Sequence, residues 1–566
     1  MKEKMHQDAG AGKGLTRRGF MGAAALAGVA AAGLASCSPE PKAQEGSQES
    51  SVSTAAASDH RTMDPAQSVW PTNENFEVMG AGEGEIAFVA DAIADSEITA
   101  THDVDVVVCG LGHSGSATAL ACAEAGLKTV VVEKASVGNY NSATIGGTTS
   151  RYHKHWGVEY PEGDFIADAA LESSYQGNLD LYRHWFANNG EAVDWYIGHL
   201  PNQNLDDYPL SFNENGSYPD FREPYEKTAL TRSWNMTIAL PYQPTELRDM
   251  FADFIVEAGG EIRYNTPACQ LIAEDGKVTG VIVKGESGYE KYNCAKGVVL
   301  STGGYEFNPE MIKQRCRPRN VPGRWLTGVM GNTGDGQQMG LAVGAIEDDY
   351  PQSIMLDPSQ LMSFMRVNAL GKRFMPEIEP YSHMAMGIQA QPGGYDYFIV
   401  DSEIANKMDY IWTPSTGPSS FYGGKEVWAA AAMGENALKA DTFEELAELM
   451  GVPVDAFVAT MKRWNEMAAN GVDEDFANPE GRLMPIDTPP YYATKESSCG
   501  LCTVGGLIVD ENCRVLNAER TPIEGLFATG ITSGGLYFNT YPHNLNCISH
   551  THNVLMAYTI GKFLSE

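Results

Sequence analysis

The chain has 566 residues, 43% of them hydrophobic, enough for two packed domains and a leader, and a composition that excludes wholesale disorder. Its formal net charge is −34, from 39 basic and 73 acidic residues. A surface of that sign repels phosphate backbones and argues against nucleic-acid binding, but leaves small substrates open, because a local pocket can differ from the mean.

The first 37 residues read as an address. "TRRGF" (Thr16 to Phe20) is a twin-arginine pair ahead of the apolar run Met21 to Ala35, which is too short and too rich in Ala and Gly for a membrane span. Twin arginines mark export of a folded protein, which suits a chain that loads a cofactor before leaving the cytoplasm. "LASC" (Leu34 to Cys37) reads as a lipoprotein cleavage box that makes Cys37 a lipidated first residue, or as the end of an ordinary signal peptide with an incidental cysteine. The expected location is extracytoplasmic, at the cell surface or in the periplasm, held to the membrane surface through Cys37. Residues 38–99 form a linker and lead-in, whose first part is rich in Ser, Ala, Gln and Glu as a tether is.

"DVDVVVCGLGHSGSATALACAEAGLKTVVVEK" (Asp103 to Lys134) is the most informative stretch. The apolar run Val104 to Cys109 predicts a buried parallel strand. An Ala-rich helix and a second strand ending at Glu133 follow. Gly110 permits the tight turn, Gly112 lets backbone approach a pyrophosphate, and Gly115 lets helix and strand pack closely. The helix N-terminus offers free N–H groups and the positive end of its dipole to phosphate. Glu133, 23 residues after Gly110, is spaced to accept hydrogen bonds from ribose hydroxyls. Strand, glycines, helix, strand and terminal acid in register predict a dinucleotide site.

More glycine turns follow: "IGGTTS" from Ile145, "LSTGGYEFNPEM" from Leu300, "GNTGDGQQMG" from Gly331 and "GLFATGITSGG" from Gly525. Several loops touching one cofactor along the chain indicate FAD threaded through a domain interior, not NAD at a sheet edge. Between them, "DTFEELAELMG" predicts a helix with a Thr442/Glu445 capping box, and Pro453 to Asn470 predicts a second helix with proline at its start. Apart from Cys37, the cysteines include one close pair, Cys499 and Cys502 in "CGLC", with Cys513 and Cys547 beyond it. A local disulfide, part of a metal or iron–sulfur site, and no role all remain open. The C-x-x-C-H signature of covalent haem is absent from the sequence, and no metal is assigned.

These motifs, in this order from about Ala100 to the C-terminus, resemble the flavoprotein subunits of the fumarate reductase and succinate dehydrogenase type. The exported branch of that family includes 3-ketosteroid dehydrogenases and urocanate reductase. The resemblance implies an α/β fold: a Rossmann-type FAD-binding domain (100–350 and 503–566) interrupted by a smaller α+β clamp, or capping, domain (351–502). It extends the expected FAD contacts beyond Gly110, Gly112, Gly115 and Glu133 to Ser114, Lys134, Gly146, Gly147, Thr148, Thr149, Ala268, Thr302, Gly303, Asp335, Gly530, Asn546 and Ile548.

Where fumarate reductases carry charged substrate ligands, this sequence departs. Ala405 stands at the proton-donating arginine, Asp357-Pro358-Ser359 at a His-Pro-Thr motif, Cys502 at a substrate histidine, and Tyr541 at the carboxylate-clamping arginine. An arginine grips a carboxylate through two parallel charge-assisted bonds, and a tyrosine does not. The ketosteroid branch matches better. Thr540-Tyr541-Pro542 resembles its Tyr-Pro-Gly-type motif, and "GKRFMPEIEPY" carries Glu377, Pro380 and Tyr381 at its Glu-x-x-Pro-Tyr offsets. The resemblance implies an oxyanion hole from Tyr541 O–H and the N–H of Leu545, with Tyr381 exchanging the substrate proton.

The expected activity is reduction of a C=C bond conjugated to a carbonyl, with electrons from a separate cytochrome or a membrane quinol-linked donor. Rival readings are the reverse, 3-ketosteroid-type dehydrogenation, reduction of an unsaturated monocarboxylate, and a non-catalytic flavin electron carrier. Tyr152 and Tyr175 are candidates for a further pocket tyrosine. His153 and His155 are read as pocket-lining or as ordinary satisfied histidines. A monomer or small homo-oligomer is expected.

Overall fold

The computed structural model describes residues 85–566 apart from 158–159, 209, 211–224, 228–231, 235, 318–320, 323–324, 326–330, 359–364, 378, 380, 412–428, 431, 479–482, 538–540 and 544. The twin-arginine segment, Cys37 and most of the linker lie outside the described residues, as do Ser359, Pro380 and Thr540. No helix among the described residues is long and apolar enough to cross a membrane.

The apolar run of the dinucleotide motif forms β1 (Ile98–Cys109), followed by α1 (His113–Glu124) and β2 (Thr129–Val132). Helices α2 (Glu162–Glu172), α3 (Leu179–Gly198) and α4 (Pro244–Glu257) follow, then β3 (Glu261–Arg263), β4 (Ala268–Glu274), β5 (Lys277–Gly285), β6 (Gly288–Leu300) and α5 (Asp335–Ala342). The chain then leaves through β7 (Ile354–Pro358) into β8 (Met365–Asn368), α6 (Tyr381–Gln389), β9 (Asp396–Asp401), β10 (Leu438–Ala440), α7 (Phe443–Met450), α8 (Val454–Asn470) and β11 (Tyr491–Glu496). It returns by β12 (Ser498–Thr503) to β13 (Arg514–Leu516), β14 (Pro522–Ala528) and the closing helix α9 (Ile548–Ser565).

The large sheet runs β13-β14-β6-β1-β2-β3, with β5 and β4 attached through β6. Its central strands are parallel and end in register: Cys109 lies opposite both Leu300 and Val132, and Leu300 opposite Ala528. Val106, Val107, Val108, Val298 and Val299 are fully buried, as strands covered on both faces require. Small residues on α1 bring α9 close: a Cβ on Gly561 would lie 2.7 Å from Ala121 Cβ.

The second sheet is antiparallel, in the order β8-β9-β11-β10. It packs with α7 and α8 around Phe457, Met461, Trp464 and Leu446. Thr442 caps α7 by accepting the Glu445 N–H at 3.2 Å, a contact worth ~1 kcal/mol. Pro453 precedes α8, and Gly471 closes it in a left-handed conformation. Strands β7 and β12 pair antiparallel, Ile354 opposite Thr503 and Met355 opposite Cys502. The chain therefore crosses between the two sheets on a hydrogen-bonded ribbon.

That ribbon decides the C-x-x-C reading. Cys499 and Cys502 lie three residues apart on β12, with no disulfide drawn between them. Extended backbone separates their Cα atoms by roughly 10 Å, beyond disulfide reach. No group of three or more metal-ligating side chains occurs among the described residues.

Candidate active site

Three glycine-bearing turns leave the aligned strand ends. Gly110 follows β1 with φ +106°, and a Cβ there would lie 2.3 Å from Ser301 O. Gly115 is packed against it: a Cβ would lie 2.1 Å from Gly110 O. Gly112, the N-cap of α1, is open, with only Asn139 O at 3.7 Å from such a Cβ. Gly303 follows β6, and Gly530 follows β14 with its Cβ position 3.0 Å from Ser114 Cβ. The tight glycines bring the loops together, and the open one leaves room for a ligand at the helix N-terminus.

Glu133 accepts the Leu111 N–H at 2.6 Å and the Ala135 N–H at 2.7 Å. Burial raises its carboxyl pKa, offset in part by those two N–H groups and Lys134. Thr266 N donates to Glu133 O at 2.8 Å, bringing the start of β4 at Ala268 alongside. Lys134 Nζ donates to Thr333 Oγ1 and Asp335 Oδ2 at 2.9 and 3.0 Å, and Thr302 Oγ1 accepts the Gly336 N–H at 3.1 Å. The expected nucleotide-end residues therefore form one connected cluster.

A second cluster forms around the 145–150 turn. A Cβ on Gly146 would lie 2.9 Å from Asn546 O, and Gly146 N donates to Thr551 Oγ1 at 2.7 Å, just beyond Ile548 at the start of α9. Gly147 has φ +150° and abuts His153. Thr148 exchanges hydrogen bonds with the Asn189 amide at 2.7 and 2.8 Å, while Thr149 presses against Gly190 of α3. Ser114 Oγ in the first cluster and Asn546 Nδ2 in the second are buried without a hydrogen-bond partner. Buried polar atoms are rarely left unpaired, so both fit an extended polar cofactor. Ala at Gly115 is expected to add ~1–3 kcal/mol of strain and to weaken FAD binding by roughly 10- to 100-fold. The flavin absorbance retained after dialysis reads this directly.

Tyr541 lies beyond the second cluster. It is buried, and its hydroxyl donates to Ser549 Oγ at 2.9 Å. Its ring packs against Tyr537 and His543, with centroids 5.2 and 4.9 Å away. Burial pushes its pKa above the ordinary tyrosine value, so it holds its proton at neutral pH. Cys502 and Cys547 also lie within electrostatic range of it. The N–H of Leu545, expected as a second donor, is spent on Pro542 O at 3.0 Å, because the turn after Tyr541 closes on itself.

A tyrosine absent from that assignment stands nearby. Tyr182 of α3 is fully buried, within electrostatic range of Tyr541 and Tyr537, and its hydroxyl has no hydrogen-bond partner. Of the two tyrosine candidates, Tyr175 is 74% exposed. Tyr152 is buried, and its hydroxyl accepts from Arg151 Nη2 at 2.8 Å. His153 is a satisfied core group: Ser150 Oγ meets its Nδ1 at 2.6 Å, Nε2 donates to Met236 O at 3.0 Å, and burial lowers its pKa to about 4. His155 pairs with Asp206 at 2.7 Å near the surface.

Across the ribbon, Tyr381 opens α6; its side chain lies outside the described residues. Ser382 Oγ meets His543 Nδ1 at 2.9 Å, joining α6 to the Tyr541 turn. Glu377 is buried between Arg373, at 2.6 and 2.7 Å, and Asn478 Nδ2, at 2.7 Å, which fixes the segment before α6. Asp357 lies on β7 opposite Cys499, and Ala405 is the second residue of the helix Ile404–Ile411.

A model of the family described as "FAD binding domain" matches residues 105–548. The chain is similar to a 3-oxosteroid 1-dehydrogenase of Mycolicibacterium smegmatis, 28% identical over 78% of this chain and 94% of that protein. It is also similar to a vinyl phenol reductase of Lactiplantibacillus plantarum, 26% identical over 80% of this chain and 94% of that protein. In fold it is similar to the crystal structure of a 3-ketosteroid Δ4-(5α)-dehydrogenase from Rhodococcus jostii RHA1. That match has a TM-score of 0.67 at 20% identity and covers 84% of this chain and 99% of that one.

Proposed function

We propose that this chain, which belongs to the FAD binding domain family, reduces a C=C bond conjugated to a neutral carbonyl. It is an FAD-dependent oxidoreductase of the class that acts on CH–CH groups. The observation that carries the finer reading is the cluster of buried Tyr541 and Tyr182 with the partly buried Tyr537, the Tyr182 hydroxyl being unpartnered. Neutral hydroxyl donors suit a carbonyl oxygen that gains charge as the alkene is reduced. A free carboxylate asks for charge-assisted, bidentate contacts that phenols do not supply. A 3-oxosteroid and a vinyl phenol, the compounds for which two of the relatives are named, carry no carboxylate, which supports the same reading.

The residues around Gly110, Glu133, Gly146 and Asn546 would hold FAD, which would supply the hydride. Tyr182 donates a hydrogen bond to the carbonyl oxygen from its unpartnered hydroxyl, and Tyr541 donates a second once its hydroxyl turns from Ser549 Oγ to the substrate. Tyr381 then delivers its hydroxyl proton to the α-carbon. Burial keeps Tyr541 protonated, which favours its use as a donor. The twin-arginine pair and the Cys37 box support a site of action outside the cytoplasm on a lipid anchor, fed by a separate electron donor.

Tyr381→Phe tests the proton role. The variant is expected to keep its FAD and to bind the enone, while flavin reoxidation by that enone slows by roughly 10²- to 10⁴-fold. Reoxidation at the wild-type rate would remove Tyr381 from the mechanism.

A further inference from the structure

Tyr541 sits on a turn held in shape by its own backbone. His543 N donates to Tyr541 O at 3.0 Å, Leu545 N to Pro542 O at 3.0 Å, and Ile548 N to Leu545 O at 3.1 Å. These bonds fix the form of the turn but not its place in the site. Leu545 fastens one side of it, pairing with fully buried Trp234 in an isolated bridge. His543 fastens the other. Its Nδ1 meets Ser382 Oγ at 2.9 Å, and its ring lies edge-on to Tyr541, at 72° with centroids 4.9 Å apart.

Ser382 makes a firm post for that ring. It is buried, and it stands three residues before Ala385 on α6, a spacing that puts both on one helix face. The face lies on β7: Ser382 Oγ is 3.3 Å from Leu356 O, and Ala385 is buried with Ile354 and Leu356. Met384 and Ile388 of the same helix pack with Met375. A hydroxyl anchored on the inserted segment therefore reaches the imidazole that borders the pocket tyrosine.

We propose that Ser382 is a positioning residue for Tyr541, acting through the His543 imidazole, a role that rests on the reductase reading above. Nothing is transferred along this contact. The hydroxyl holds the imidazole, the imidazole holds one side of the phenol ring, and Tyr537 flanks it with its centroid 5.2 Å away.

The Tyr541 hydroxyl turns from Ser549 Oγ to a substrate carbonyl by rotation about its own C–O bond, which leaves the ring where its neighbours place it. The donor stabilises a developing oxyanion only while it stands about 2.7–3.1 Å away, and a misplacement of ~1 Å costs about 100-fold in rate. Holding the ring therefore acts on the transition state. Cofactor retention depends on the glycine turns and Glu133, which Ser382 does not touch.

The test is whether Ser382 matters once the Tyr541 hydroxyl is gone. Ser382→Ala holoenzyme is expected to keep its flavin absorbance and to lose roughly 10-fold in kcat for enone reduction, with KM within about twofold of wild type. Added to Tyr541→Phe, the same substitution is expected to slow flavin reoxidation by less than about twofold. A side chain that merely supports the fold would slow both backgrounds equally. That result, or a wild-type kcat in Ser382→Ala, would overturn the proposal.

If Ser382→Ala fails to retain FAD, His543→Phe keeps a ring beside Tyr541 and removes Nδ1. It is expected to show the same loss of roughly 10-fold in kcat and the same silence in the Tyr541→Phe background. Loss of FAD by both variants would make the pair a structural contact and overturn the proposal as well. Failure of the reductase reading is distinguishable, because wild-type enzyme would then be reoxidised by no enone at all.

Discussion

Tyr541→Phe is expected to lower both kcat and kcat/KM for enone reduction by roughly 10²- to 10³-fold while FAD remains bound. The phenyl ring keeps the contacts with Tyr537 and His543, so the packing that orients the turn survives and the donor alone is lost. Ser549 Oγ loses its 2.9 Å partner but stands at an only partly buried position, which limits the stability cost. Stopped-flow reoxidation and thermal unfolding, measured on the same preparation, separate the two effects. Loss of activity with unchanged unfolding supports a donor role. Loss of both would return Tyr541 to the core.

Arg366→Met is expected to produce the largest loss of stability, about 3–5 kcal/mol. Arg366 is fully buried and donates from Nη1 to Asp396 at 3.0 Å and to Glu496 at 2.9 Å. Asp396 and Glu496 face each other directly on β9 and β11, so the guanidinium is what makes two opposed buried carboxyls tolerable. Removing it leaves them uncompensated, and burial then drives their protonation. Urea unfolding should show an early transition of the 365–496 sheet, while the FAD cradle, built on the other sheet, retains its flavin. A second variant that also carries Asp396→Asn and Glu496→Gln should recover part of the loss. A single unfolding transition unchanged from wild type would contradict this role.

The nucleotide end was legible because its information is local. Gly110, Gly112, Gly115 and Glu133 fall within one strand–helix–strand unit whose spacing fixes their positions, and the turns at Gly303 and Gly530 then meet them because the strands end in register. The capped helix at Thr442 and the proline-led helix at Val454 were likewise written in short-range signals. The tyrosine site was only half legible. Tyr182 sits among the apolar positions of α3, where it reads as a core residue, and it is brought to Tyr541 by packing across more than three hundred positions. The occupied N–H of Leu545 depends on how the turn closes on Pro542, a detail that residue types do not specify. The "CGLC" spacing resembles a loop motif, yet pairing with β7 extends it into a strand and separates the two sulfurs.

The most direct measurement is anaerobic. Reduced holoenzyme is mixed in turn with a steroid enone, a cinnamate and fumarate, and the return of oxidised-flavin absorbance is followed. A ketone-directed tyrosine site predicts fast reoxidation by the enone and slow reoxidation by both carboxylates. Fast reoxidation by cinnamate or fumarate, with the enone inert, would contradict it and would place an anchoring cation in the pocket that Tyr541 and Tyr182 are here assigned to form.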